Sequence, residues 1–233
     1  MSNINALSEQ LLLAVKTEQP VEDLQEKIKR VSLPYLEQQL SDDTHKKAFW
    51  LNIYNAFFQI LRKSKNLKKP AIFRERHIHI AGQAFSLDDI EHGILRRYRY
   101  KYSLGYFANP FARSLIKKLA VEVLDYRIHF AMNCGAKSCP PIAFYTADNL
   151  ERQLELATLT FLTGETDIKE QAKEAHVTRL FQWFLKDFGG PKGVRKILNE
   201  RFNKDFQDFK LVYKEYSWEE QLDNYNEAQF AEA

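Results

Sequence analysis

Residues 44–64, THKKAFWLNIYNAFFQILRKS, constrain the fold more than any other segment of this chain. Phe49, Ile53, Ala56, Phe57 and Ile60 share one face at helical spacing, and Trp50, Tyr54, Phe58 and Leu61 add a second. A helix that is apolar nearly all round has no face to offer water, so it belongs at the centre of a core. Asp42 or Asp43 is its expected N-cap. The polar stripe is Asn52, Asn55, Gln59 and Arg62, again three and four residues apart. Buried amides need hydrogen-bond partners. Either a functional site or a structural network that ties loops to the helix would supply them.

The remaining elements arrange around that helix. Residues 5–40 read as two amphipathic helices with Pro20 between them, Pro34 interrupting or turning the second. His77-Ile78-His79-Ile80 alternates like a strand, residues 81–83 look like a turn, and residues 84–87 return as a second strand. Ser86 and Asp89 fit a capping box, with Asp in place of the usual Glu. Residues 126–132 read as a buried strand leading into Asn133-Cys134-Gly135. Helices are expected over 149–162 (capped by Asp148), 178–187 and 192–203, with a short late strand over 209–213. The expected class is α+β, mainly helical with a small antiparallel or mixed sheet, in one compact domain. Residues 1–43 would be a helical extension packed on a main domain of 44–225, followed by a tail, 226–233.

Composition removes several function classes. The formal net charge is +3, too small to argue for nucleic acid by itself. The stretch Arg96-Arg97-Tyr98-Arg99-Tyr100-Lys101-Tyr102 interleaves cations with aromatics as single-strand binders do. A solvated face with inward-packed rings is the favoured reading of it. No apolar run approaches the ~18 residues of a membrane span, and no targeting segment is evident. The chain has two cysteines, which is no secreted disulfide framework. The expected setting is cytoplasmic, with both thiols reduced.

Chemistry concentrates in residues 127–141, RIHFAMNCGAKSCPP. Cys134, at the end of the expected strand and followed by Gly, is open to substrate and to neighbouring backbone N–H groups. Those donors would stabilise a thiolate or an oxyanion. The competing reading is a small core residue. His92 follows Asp88 by four residues, so carboxylate and imidazole share a helix face, with Arg96 four residues further on. Glu91 is adjacent but leaves the helix in another direction. A plain surface charge ladder is the alternative there. His77, His79, Cys134 and Cys139 form a weak zinc alternative, because a C-x-x-x-x-C spacing is looser than usual zinc pairs. On an extended strand His129 faces away from Cys134, so it reads as a hydrogen-bonded core histidine.

Three motifs in order carry a family resemblance: FWLNIYNA at 49–56, SLDDIEHGILR at 86–96 and RIHFAMNCGAKSCP at 127–140. They resemble the domain-of-unknown-function family 547, found in bacteria and in multidomain eukaryotic proteins, over about residues 44–220. The resemblance implies a fold unit and points to Asn52, Asn55, Glu91, His92, Arg96 and Cys134. In plant-type relatives Ser often stands at the place of Cys139, which favours Cys134 as the working thiol. Tyr216-Ser217-Trp218 departs from the family's usual Tyr-Asp-Trp.

Two functional expectations follow. The first is a cysteine-dependent hydrolase or acyl transferase on an amide or thioester. Cys134 would be the nucleophile and His92 the base, with Asp88, Asn52 or Asn55 orienting the imidazole. Glu91, Arg96, Ser138 and Cys139 would contact substrate, and neither metal nor cofactor is required. The second is a non-catalytic module that binds a peptide or small ligand in the same polar pocket. Nothing in the sequence sets an oligomeric state.

Overall fold

The computed structural model describes residues 3–227. It is a mainly helical α+β protein with two small sheets. The chain opens with α1 (Ile4–Lys16), α2 (Glu22–Arg30) and α3 (Leu33–Gln39). The sequence suggested two helices here. The expected second one divides because Ser32 caps a new start, its side chain accepting from Tyr35 N–H, with Pro34 in the first turn. The central helix α4 (Asp43–Lys63) matches its expected span, and Asp42 caps it by accepting from His45 N–H at 3.0 Å.

Helix α4 is the axis of the larger core. Phe49, Trp50, Leu51 and Ile53 are fully buried on it. Each such side chain contributes roughly 1.5–3 kcal/mol on burial. Helix α1 packs along α4 on one side. After the short α5 (Ala71–Arg74) comes a hairpin of β1 (Ile78–Ile80) and β2 (Gln83–Phe85), in the register Ile78↔Phe85. Ala81 and Gly82 both take positive φ at its turn, and their N–H groups donate to Ile28 and Lys29 carbonyls of α2. The expected capping box forms reciprocally, Asp89 N–H to Ser86 Oγ at 3.0 Å and Ser86 N–H to Asp89 Oδ2 at 3.1 Å. It opens a π-helix, Asp89–Leu95, not an ordinary helix.

Beyond α6 (Ser114–Leu119) the expected strand over 126–132 is replaced by a 3-10 helix, Tyr126–Phe130. Asp125 caps it, accepting from Arg127 N–H at 3.1 Å. Lys47 and Arg127 hold the Asp125 carboxylate as well, and although burial opposes them, these contacts bring its pKa down to about 2. Ile128 and Ala131 face the larger core while Phe130 faces a second one. Buried on both sides, this segment has no periodicity that separates strand from helix.

The second core lies among α7 (Leu150–Glu165), α8 (Leu180–Trp183), α9 (Gly190–Phe202) and a three-stranded sheet. That sheet comprises β3 (Asp167–Lys169), β4 (Glu174–Val177) and β5 (Lys210–Tyr213) in the order β3-β4-β5. The first pair is antiparallel and the second parallel. Only β5 was expected. Asn149, not Asp148, precedes α7, and its side chain makes no cap bond. The expected helix over 178–187 is shortened to α8 and followed by turns. No described helix is long and apolar enough to cross a membrane. The expected tail lies outside the described residues from 228 onward.

Candidate functional site

A cavity of about 540 Å³ opens where α4, the π-helix, the segment 129–140 and the loop after β5 converge. Asp88, Glu91, His92, His129, Cys134 and Cys139 all contribute to its wall, so the two motifs separated by some forty residues meet in space. Much of the lining is apolar or aromatic, including Phe73, Tyr102, Phe184 and Leu180. Trp183, Tyr216 and Trp218 form one aromatic cluster at it, with ring centroids 4.7–5.7 Å apart.

Asn55 positions the thiol. Its side-chain amide donates to Ala131 C=O at 3.0 Å, and its carbonyl accepts from Asn133 N–H at 2.9 Å. Asn133 in turn closes the loop, donating to Pro140 C=O at 2.7 Å and accepting from Gly135 N–H at 2.8 Å. Gly135 takes φ +71, and a Cβ there would meet Phe58 at 2.5 Å, so the tight turn after Cys134 admits only glycine. Asn52 clamps the backbone of Tyr145 in the same two-sided way. Neither amide is bonded to His92, so the expected orienting role is corrected: both are spent on backbone. Asn55→Ala leaves two buried backbone groups unpartnered and should cost at least about 2 kcal/mol in denaturant unfolding, about 1 kcal/mol or more for each group.

Cys134 is half-buried and Cys139 buried. Tyr216 Oη lies 3.5 Å from Cys134 Sγ and 3.1 Å from Cys139 Sγ. The hydrogen bond from Cys139, then that from Tyr216 and the charge of Lys69, bring the Cys134 pKa down to about 7, against opposing burial and the Glu91 charge. Burial and the neighbouring Cys134 push the Cys139 thiol well up. Lys69 itself lies over the Trp218 ring, 4.2 Å from its centroid.

The two histidines differ in which nitrogen is free. Arg96 Nη1 lies 2.9 Å from His92 Nδ1. A guanidinium only donates, so Nδ1 is the acceptor and the neutral ring carries its proton on Nε2. That nitrogen faces Asp88 Oδ1 at 3.7 Å, and Lys101 pairs with the same carboxylate. Burial, then the Arg96 charge, brings the His92 pKa down to about 3. The basic nitrogen of His92 is therefore engaged. His129 is arranged the other way: its Nε2 lies 2.9 Å from Asp187 Oδ2. With Asp187 ionised, Nε2 donates and Nδ1 is the basic atom of a ring that lines the cavity. Strand parity would have separated His129 from Cys134, and the 3-10 helix removes that parity.

Other expected contacts fall elsewhere. Arg96 is fully buried behind the wall, with Nε 2.6 Å from Asp187 Oδ2 and its guanidinium over the Phe184 ring. Ser138 Oγ accepts from Ser217 N–H at 3.0 Å and is absent from the lining. Glu91 turns into the cavity beside His92, where another direction was expected, and accepts from Tyr54 Oη at 3.0 Å. A π-helix turns less per residue than an α-helix, so adjacent Glu91 and His92 reach the same wall. The N–H groups expected to meet an oxyanion are largely spent. Those of Cys134, Gly135, Lys137, Ser138 and Cys139 bond to Cys139 Sγ, Asn133 Oδ1 and the carbonyls of Glu219, Ser217 and Ala136. His77 pairs with Glu75 at 2.8 Å, and neither His77 nor His79 is in the cavity lining. Among the described residues no group of three or more His, Cys, Asp or Glu is spaced to hold a metal ion.

Tyr54, His129, Trp183, Asp187 and Tyr216 complete a site that sequence reasoning had only half drawn. Of these, Tyr216 was flagged only as part of a departure from a family pattern. Fold and site together define a helical α+β protein with a thiol-bearing cavity. The chain belongs to the family of proteins of unknown function DUF547, which matches it over residues 38–162. The matched region includes α4, the π-helix and the Cys134 loop, and ends before the three-stranded sheet. Comparison with curated proteins and with solved structures finds no match.

Proposed function

We propose that the protein is a cysteine-dependent acyl hydrolase or acyl transferase acting on an amide or thioester, with Cys134 as nucleophile. One observation carries this reading: the Cys134 sulfur lines a roomy cavity while a tyrosine hydroxyl and a second thiol lie against it. The thiolate attacks the substrate carbonyl carbon, an S–C bond forms, the C–N or C–S bond to the leaving group breaks, and the amine or thiol leaves with a proton taken from solvent water. Water then cleaves the acyl–sulfur bond. That water needs a base with a free lone pair. His129 meets the requirement better than His92, because Asp187 holds its other nitrogen in the manner of a catalytic dyad. His92 Nε2–H is the side-chain donor for the oxyanion, replacing the occupied backbone N–H groups. The aromatic lining favours an apolar or aromatic acyl group.

The test combines labelling with acylation. Iodoacetamide should alkylate Cys134 with a midpoint near pH 7, and Tyr216→Phe should move that midpoint toward the ~8.5 of an ordinary thiol. A panel of aryl-acyl thioesters should leave a transient acyl group on Cys134. In His129→Gln that adduct should persist, and in Cys134→Ser none should form. A wild-type midpoint at the ordinary thiol value, or a His129→Gln adduct cleared at the wild-type rate, would overturn the assignment.

The occupied N–H groups favour a second reading, a binding module for a peptide or small ligand without covalent chemistry. Under it a ligand protects Cys134 from iodoacetamide, but no thioester ever acylates the protein.

A further inference from the structure

The proposed nucleophile, Cys134, has a neighbour that acyl transfer does not require. Cys139 comes back to Cys134 through a closed loop, clamped at its base by the Asn133 bond to Pro140 C=O and turned by Gly135. Cys139 Sγ accepts from the backbone N–H of Cys134 at 3.1 Å, so the sulfur of one cysteine rests on the main chain of the other. Tyr216 Oη touches both sulfurs. Both side chains also face the same cavity. Among the described residues no zinc set is completed around them. Two reduced thiols so placed, with one hydroxyl in reach of both, have the layout of a dithiol couple.

We propose that Cys134 and Cys139 form a two-electron redox pair that reduces small disulfides entering the cavity, with Cys134 attacking and Cys139 resolving. It shares with the acyl-transfer reading only the identity of the attacking sulfur. In the first step the Cys134 thiolate attacks one sulfur of a disulfide R–S–S–R. A Cys134–S–R bond forms, the R–S–S–R bond breaks, and R–S⁻ leaves to take a proton from solvent. In the second step the Cys139 sulfur attacks Cys134 Sγ. The Cys134–Cys139 bond forms, the second R–S⁻ leaves, and it takes the proton Cys139 gives up. The substrate gains two electrons and the cysteine pair loses them. The roles follow from placement: Cys134 is the more exposed sulfur and is readied as thiolate near neutral pH, whereas Cys139 is buried behind it and holds its proton until the mixed disulfide forms. Tyr216, bonded to both sulfurs, is placed to pass that proton.

The test incubates the fully reduced protein with oxidised glutathione, quenches in acid and weighs the intact chain. Wild type should gain the internal disulfide, retain no glutathione and release two equivalents of reduced glutathione. Cys139→Ser should stop at one glutathione held on Cys134, and Cys134→Ser should acquire neither. The wild-type arm decides alone if a variant fails to fold. Glutathione retained on wild-type Cys134 would overturn the redox pair and leave the acyl-transfer reading standing. No reaction of wild-type Cys134 with either glutathione or iodoacetamide would overturn both.

Discussion

Asp187→Ala is expected to cost about 3–5 kcal/mol of folding stability. The Asp187 side chain is 1% exposed and that of Arg96 0%, so their ion pair has no solvent to fall back on. Burial pushes the Asp187 carboxyl up, yet the hydrogen bond and charge of His129 and then those of Arg96 outweigh it and hold the pKa below the ordinary carboxylate value. Removing the carboxylate leaves a buried guanidinium without a counter-charge and takes the partner from His129 Nε2. Denaturant unfolding at pH 7 measures the loss. A double variant, Arg96→Met with Asp187→Leu, removes both charges together and should lose far less than the two single changes combined, since an apolar pair of similar volume often replaces a buried ion pair with little penalty. A loss of under about 1 kcal/mol in Asp187→Ala would show that the pair is better hydrated than its geometry implies. Asp187→Asn probes the site separately. It keeps the shape but releases the tautomer of His129, so deacylation should slow in a protein that remains folded.

That pair also marks where sequence reading stops. The buried helix α4 was legible because its apolar residues occupy nearly every position, and the capping box was legible because Ser86 and Asp89 are local. The Cys134 loop stood out through its own residues. Asp187 carried no such mark. It lies in a stretch of ordinary composition, 91 residues from Arg96, and nothing local says that its carboxylate is drawn inside. His129 is the hydrogen-bonded core histidine the sequence suggested, but its place on the cavity wall was hidden for a different reason. Alternation was applied to residues 126–132 as if extended, and a segment packed between two cores has no exposed side from which to read its period. Glu91 was misdirected because α-helical angles were used where the backbone winds as a π-helix. The strands β3 and β4 were missed because residues 167–177, DIKEQAKEAHV, are too charged to resemble strands. Their pairing with each other and with the late strand β5 makes them so. What remained hidden was tertiary contact for Asp187, His129 and the strands, and the winding of the backbone for Glu91.

A second large effect concerns acid. His92 is held down to about pKa 3, by burial first and the Arg96 charge next. In the unfolded chain an ordinary histidine titrates near ~6.5. Between those values the unfolded state binds a proton that the folded state refuses, so stability must fall as pH falls through that window. At pH 4.5 His92 alone should have withdrawn about 2–3 kcal/mol relative to neutral pH. His129 is shifted in the same direction, again by burial first, and adds to the loss. Asp187 acts lower down: its depressed pKa gives stability that is present above the ordinary carboxylate range and disappears as pH falls below it. The window from 6.5 to 4.5 therefore reports mainly on the histidines. Glutamine at position 92 can accept from Arg96 but takes up no proton. Denaturant unfolding of wild type and His92→Gln at pH 7.5, 6.0 and 4.5 should give curves that separate on acidification, the wild type losing about 2–3 kcal/mol more. Parallel curves would mean that His92 is protonated in the folded protein at mild acidity. The Arg96 contact would then have to break, which would return His92 to the cavity as a titrating group.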